Sequence, residues 1–195
     1  MLFRSSKERR RELLLFQKYA QIRFRNIELL NLAFSHRSYA NELGLDVDDN
    51  EKLEFLGDSV LGLAVSDYLV RTLSSDRSEG DMARIKSFVV SEASLAGIAR
   101  ALRVDNFILV GRGEEVSGGR SRDTLLADAM EAIFGAYYVD SGIRPATELI
   151  NRFLVPEINR VLEDRHEKDF KSMLQELAQQ KLKAHPRYRV VERQG

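Results

Sequence analysis

The chain has 195 residues and a mass of 22.3 kDa, with 44% hydrophobic and 31% charged residues, enough for one compact domain and a small appendage. Its 12 Gly and 3 Pro exclude collagen-like, low-complexity and wholly disordered chains, and the absence of Cys excludes disulfides, thiolate zinc sites and cysteine nucleophiles. Formal net charge is zero, yet residues 1–25 carry eight Lys/Arg against two acids and residues 165–195 eight against four, so basic ends suited to a polyanion flank an acidic middle.

No apolar run approaches the roughly 20 residues of a membrane span, and residues 1–7 lack a signal-peptide pattern, so the expected location is the cytoplasm, away from membranes. In chain order, residues 8–24 place Leu13, Leu14, Phe16, Tyr19 and Ala20 at helical spacing, and residues 27–34 repeat the pattern with Ile27, Leu30 and Phe34. The turn-forming stretch 41–50 reads as a loop opening a helix. That helix, from Glu51 to about Leu73, has an apolar face of Leu53, Leu56, Val60, Leu63, Ala64 and Leu69. Ser78 with Asp81 predicts a capping box before Met82, Ile85 and Val89, and Ser91 predicts an N-cap for a helix to Leu102. Residues 110–122, with Gly111, Gly113, Gly118 and Gly119, read as a permissive loop; Asp123 is expected to cap a helix to about Asp140, closed by Ser141 and Gly142. Pro145 suits the first turn of a further helix, expected to reach Leu162 with a kink at Pro156. The charged run 163–168 reads as a linker. Beyond it, Phe170, Met173, Leu174 and Leu177 suggest a helix, and Tyr188, Val190 and Val191 alternate as in a strand. The expected fold class is all-α, followed by the beginning of a second, α/β unit.

The acids carry the chemistry. Glu51, Glu54 and Asp58 stand at i, i+3 and i+7, within roughly 60° of one helix face at about 100° per residue. Asp128 and Glu131 repeat the i, i+3 spacing inside an apolar helix, where solvated surface is a poor explanation. Two like charges about 5 Å apart at an effective dielectric near 20 cost on the order of 3 kcal/mol. No Lys or Arg occupies the i±3 or i±4 positions around these acids. A hard cation such as Mg²⁺ or Mn²⁺, which prefers oxygen ligands and retains waters, would compensate, and an acidified water would be a nucleophile for a phosphodiester. Three scattered His leave little for an imidazole site, and neither a P-loop sequence nor a His-Asp dipeptide is present.

Four segments then occur in order: Phe34-Ser35-His36-Arg37-Ser38-Tyr39, Asn50-Glu51-Lys52-Leu53-Glu54-Phe55-Leu56-Gly57-Asp58-Ser59, Ser78-Glu79-Gly80-Asp81-Met82-Ala83-Arg84 and Leu126-Ala127-Asp128-Ala129-Met130-Glu131-Ala132. Together they resemble the signatures of bacterial ribonuclease III. The resemblance covers residues 10–162 as an all-helical endonuclease domain. Residues 163–168 become the linker, and 169–195, opening with Asp169-Phe170-Lys171-Ser172-Met173-Leu174-Gln175-Glu176, resemble the start of a double-stranded RNA-binding domain, truncated at Gly195. It implies a homodimer hydrolysing double-stranded RNA to 5′-phosphate and 3′-hydroxyl ends in rRNA and mRNA processing, with Mg²⁺ as cofactor and Mn²⁺ as a substitute. It further implies Glu54, Asp128 and Glu131 as metal ligands, Asp58 and Glu131 as catalytic residues, and Glu51 and Glu79 as a supporting acidic cluster. Phe55 resembles a plug entering the partner subunit, while Ser172, Gln175 and Glu176 match RNA-contacting positions. Arg120 and its loop could equally touch phosphate or brace the acidic helix. Two other functions explain fewer residues: an all-α Mg-dependent nucleotide pyrophosphohydrolase, which accounts for the acids alone, and a non-cleaving RNA-binding homologue, in which an active-site acid would be expected to be missing.

Overall fold

The computed structural model describes residues 5–44, 48–73 and 77–182. Nine helices occupy them: α1 (Lys7–Ala20), α2 (Ile27–Ala33), α3 (Arg37–Leu43), α4 (Glu51–Thr72), α5 (Glu79–Val89), α6 (Glu92–Ala101), α7 (Arg112–Val116), α8 (Asp123–Ser141) and α9 (Ile143–Leu182). Short 3-10 turns lie at Val104–Asn106 and Gly119–Ser121. Among the described residues the β-type pairing consists of one isolated parallel bridge, Ser35 with Leu109, so the fold is all-α. The chain divides into two units, residues 1–157 and 158–195, and the site described below belongs wholly to the first.

Polar caps set most of the helix starts. Ser6, Asn26, Ser78 and Ser91 accept backbone N–H groups of α1, α2, α5 and α6, and Ser78 with Asp81 forms the expected reciprocal capping box. Helix α8 is the centre of the first unit. From Leu125 to Ala136 it buries residues on every side, apart from half-buried Asp128 and Glu131, as a helix enclosed by others must. Helix α4 packs along it with Leu53, Val60, Leu61, Ala64 and Val65 inward, and α2 and α6 cover other flanks. An aromatic cluster ties α1 to this core: the Phe16 ring meets Phe34 edge-on at 4.9 Å and Phe107 at 5.1 Å.

Four local expectations are corrected. Helix α3 runs into the 41–50 stretch expected to be a loop, and is too short for hydrophobic periodicity to reveal; the His36 imidazole caps it and Gly44 ends it at φ +60°. The glycine-rich segment 110–122 is built rather than loose, holding α7 and a 3-10 turn. Its Gly111 is needed for close approach, since a Cβ there would lie 2.6 Å from the Ser38 carbonyl oxygen. Asp123 is the first residue of α8 and not its cap, because its carboxylate is taken by Arg100. Finally, the helix expected to end near Leu162 continues through residues 163–168 as part of α9; that run has neither Gly nor Pro to stop a helix. The expected strand near Tyr188 lies outside the described residues.

Candidate active site

The site begins with two glycines. A Cβ on Gly57 of α4 would overlap the Glu131 carbonyl oxygen and sit 3.0 Å from the Gly135 nitrogen. A Cβ on Gly135 of α8 would overlap the Leu53 carbonyl oxygen and sit 2.9 Å from the Gly57 nitrogen. The two helices therefore touch backbone to backbone, a separation that any side chain would prevent. Glu54 and Asp58 flank the contact on one helix, and Asp128 and Glu131 approach it on the other.

This packing places the acids in one another's fields. Burial, then Asp128 and Glu51, raise the Glu54 carboxyl above its ordinary range, with Arg37 pulling the other way. Burial, then Glu92, raises Asp128, again opposed by Arg37. Burial, followed by Asp58, Glu54 and Asp128, pushes Glu131 up to about 7. Among the described residues no three His, Cys, Asp or Glu side chains converge closely enough to form a finished metal cage. The four acids expected to meet around an ion thus lie within one another's fields without forming a closed coordination shell. The donor set is nonetheless all oxygen, half-buried at Glu54, Asp128 and Glu131, and short of positive charge. Those properties suit a hard divalent cation that keeps several waters.

A cleft of 330 Å³ opens beside the acids, lined by Glu51, Glu54 and Asp128 together with Arg37, Arg122 and Glu114. Arg37 pairs with Glu51 at 3.3 Å and Arg122 with Glu114 at 2.9 Å. His36 also borders the cleft; burial holds its imidazole below the usual range, and its Nδ1 accepts the Ser38 N–H. Sequence reasoning assigned no role to Arg37, Arg122, Glu114 or Glu92. Arg37 stood inside a recognised segment, but Glu92 reaches Asp128 only through the fold.

Glu79 is not brought to this cleft within its own subunit. It lines a separate groove of 270 Å³ between α4 and α5 with Ser66, Leu69, Val70, Met82, Ala83 and Lys86. Phe55 is 79% exposed, so it is no part of its own subunit's core. Ser172, Gln175 and Glu176 fall on α9, but their side chains lie outside the described residues. Arg120 is a brace: its guanidinium donates to Glu115 at 2.6 Å and 2.8 Å, to the Asp105 carbonyl at 2.9 Å and to the Ile108 carbonyl.

Residues 26–158 match a family model described as Ribonuclease-III-like. The chain is 48% identical over 188 residues to Ribonuclease 3 of Treponema denticola, covering 96% of this chain and 76% of that one. It is 44% identical over 183 residues to Ribonuclease 3 of Borreliella burgdorferi, covering 94% and 74%. The crystal structure of the nuclease domain of ribonuclease III from Campylobacter jejuni superposes with a TM-score of 0.67 at 32% identity, covering 79% of this chain and 97% of that one. A second structure of that nuclease domain, described for flexibility in the region involved in dimer formation, gives a TM-score of 0.66 at 34% identity over 71% of this chain and 93% of that one.

Proposed function

The chain belongs to the ribonuclease III family, and from that premise we propose that the coupled carboxylates between α4 and α8 are its catalytic centre. The protein is a double-stranded-RNA endoribonuclease, a metal-dependent hydrolase that acts in RNA processing as a homodimer. The pyrophosphohydrolase reading falls with that membership. Retention of all four acids favours cleavage over passive binding.

Glu54, Asp128 and Glu131 would hold the ion, for which Mg²⁺ is our choice and Mn²⁺ the substitute. When bound, a divalent cation supplies positive charge that stabilises the developing charge on the phosphate and acidifies water. With Asp58, the Glu131 carboxylate would activate and position the attacking water, whose oxygen bonds to phosphorus as the bond to the 3′-oxygen breaks. That order leaves 5′-phosphate and 3′-hydroxyl ends. Asp58, exposed on the same helix face as Glu54, would orient the water. Glu51 sets the outer edge of the cleft. The observation that carries this reading is the Gly57–Gly135 contact, which forces two acid-bearing helices together where ordinary side chains would have kept them apart.

The dimer surface we assign to the exposed strip of α4, Phe55, Ser59, Leu63 and Val70, beside the groove that contains Glu79. An antiparallel crossing of two α4 helices near Gly62 and Leu63 would seat Phe55 of each subunit in the other's groove. The same crossing would carry Glu79 toward the acids of the partner, its supporting role then being exercised across the interface. We keep residues 10–162 as the endonuclease domain and 169–195 as the opening of an RNA-binding domain, with Ser172, Gln175 and Glu176 toward RNA. Among the described residues no helix is long and apolar enough to cross a membrane, which supports a cytoplasmic assignment.

The test is cleavage of duplex RNA with and without Mg²⁺, with end-group analysis, for the wild type and Glu131→Gln. Loss of the carboxylate at nearly constant volume should lower turnover by at least about a hundredfold while RNA binding and dimerisation persist. Equal turnover in the two proteins at moderate Mg²⁺ would remove Glu131 from the mechanism.

A further inference from the structure

Arg37 has a fixed base and a loosely held head. Ser35 bridges to Leu109, the His36 N–H donates to the Leu109 carbonyl at 3.0 Å, and the Asn50 N–H donates to the Ser35 carbonyl at 2.9 Å. On the other side Ser38 Oγ accepts the Gly111 N–H at 2.9 Å. These bonds fix the backbone of residues 35–38 against both segments that frame the acid cleft. The Arg37 side chain itself is 66% exposed and meets Glu51, 55% exposed, through a 3.3 Å contact. An exposed pair of this kind contributes little and is readily exchanged. From this position Arg37 lines the cleft with Glu51, Glu54 and Asp128, and its field favours the ionised forms of Glu54 and Asp128.

We propose that Arg37 serves the cleft in two states: without a divalent ion it is the tethered counter-charge of Glu51, Glu54 and Asp128, and with ion and substrate present its guanidinium turns to a backbone phosphate of the RNA. The inference rests on reading the cleft as the metal-dependent centre. Two cations addressing one set of carboxylates compete, so Arg37 weakens divalent binding in the free enzyme and is released when that binding occurs. A planar guanidinium suits the phosphate oxygens that then lie beside it, and its fixed backbone limits the ordering needed to reach them. Among the described residues, Glu51 is the group that must let go of it.

The experiment measures Mn²⁺ binding by electron paramagnetic resonance of the free ion at pH 8, and duplex-RNA cleavage at saturating Mn²⁺. It compares the wild-type dimer with Arg37→Ala, Arg37→Lys and Glu131→Gln. Arg37→Ala should bind Mn²⁺ about threefold to tenfold more tightly, as expected for removal of one exposed like charge. It should nevertheless cleave at least about tenfold less efficiently, chiefly through a higher KM, as for a lost charge-assisted phosphate contact. Arg37→Lys should keep wild-type Mn²⁺ affinity and recover part of the cleavage, because it retains charge but not the fork. A merely structural role would not tighten metal binding while weakening cleavage. Unchanged or weaker Mn²⁺ binding by Arg37→Ala, with Glu131→Gln impaired in Mn²⁺ binding, overturns the role of Arg37 alone. Unimpaired Mn²⁺ binding by Glu131→Gln overturns the reading of the cleft and this inference with it.

Discussion

Glu131 ionises near 4.5 in an unfolded chain, whereas burial and the fields of Asp58, Glu54 and Asp128 push it up to about 7 in the folded one. Between those values the folded protein keeps a proton that the unfolded chain has released, so the stability of the ion-free protein falls as pH rises from 4.5 toward 7 and levels off above it. The upward shifts of Glu54 and Asp128 act in the same direction. The depressed His36 imidazole acts the other way below about 6.5, one group against three, so ion-free protein should still melt at a lower temperature at pH 8 than at pH 5 in calorimetry, and Glu131→Gln should flatten part of that slope. Mg²⁺ should raise the melting temperature more at pH 8, where Glu131 has lost its proton, than at pH 6. Identical pH slopes for wild type and Glu131→Gln would show that this carboxyl is not displaced. The acids themselves were legible in the sequence, because charge at i, i+3 spacing inside an apolar helix has few structural uses. Their cationic neighbours were less so: Arg37 comes from another helix, and Arg120, equally free on sequence grounds to touch phosphate, is occupied by Glu115 and two carbonyls.

Helices α4 and α8 illustrate why an element can be read correctly while its partner remains hidden. The start at Glu51, the capping box at Ser78 and the stop at Gly142 follow from local chemistry, whereas α8 starts one residue before the cap expected at Asp123 would allow. That α4 lies against α8 does not, because Gly57 and Gly135 look like weak points in their helices until the carbonyls opposite them are known. Glycine costs about 1 kcal/mol relative to alanine in a helix interior, so on propensity alone Gly57→Ala should stabilise α4. The contact reverses the sign. The added methyl would overlap the Glu131 carbonyl, which is backbone and cannot rotate away. Gly57→Ala should thus cost about 2–3 kcal/mol or more in urea unfolding, the upper part of the range for overpacking. Because it forces Glu54 away from Glu131, it should also weaken Mn²⁺ binding. A neutral or stabilising Gly57→Ala would mean that the two helices stand further apart than described. Short elements escaped for a related reason: α3 and α7 owe their form to the His36 cap, the left-handed Gly44 stop and the close approach of Gly111 to Ser38, and seven or five residues display no period.

At the scale of the whole molecule, Phe55 separates what holds a subunit together from what joins two. It adjoins Glu54 in sequence, so a defect there would ordinarily be ascribed to the active site. At 79% exposure, however, it has little to lose within its own subunit. Its face of α4 continues through exposed Leu63 and Val70 to the groove lined by Leu69, Met82 and Ala83. An aromatic ring filling a pocket at the centre of an interface is the type of side chain on which association energy concentrates, and truncating one to alanine commonly costs about 2–4 kcal/mol. Phe55→Ala should therefore raise the dimer dissociation constant by about 30-fold to 1000-fold at roughly 1.4 kcal/mol per decade. Sedimentation velocity over a dilution series measures this directly. Unfolding of the separated subunit should change little, since surface substitutions outside special contacts stay within about 0.5 kcal/mol. Cleavage should decline with dilution in parallel with the dimer and return at high protein concentration, which a damaged acid cleft would not allow. If Phe55→Ala dimerises as tightly as the wild type, the interface lies on another face of the first unit and Glu79 has no route to the acids through this one.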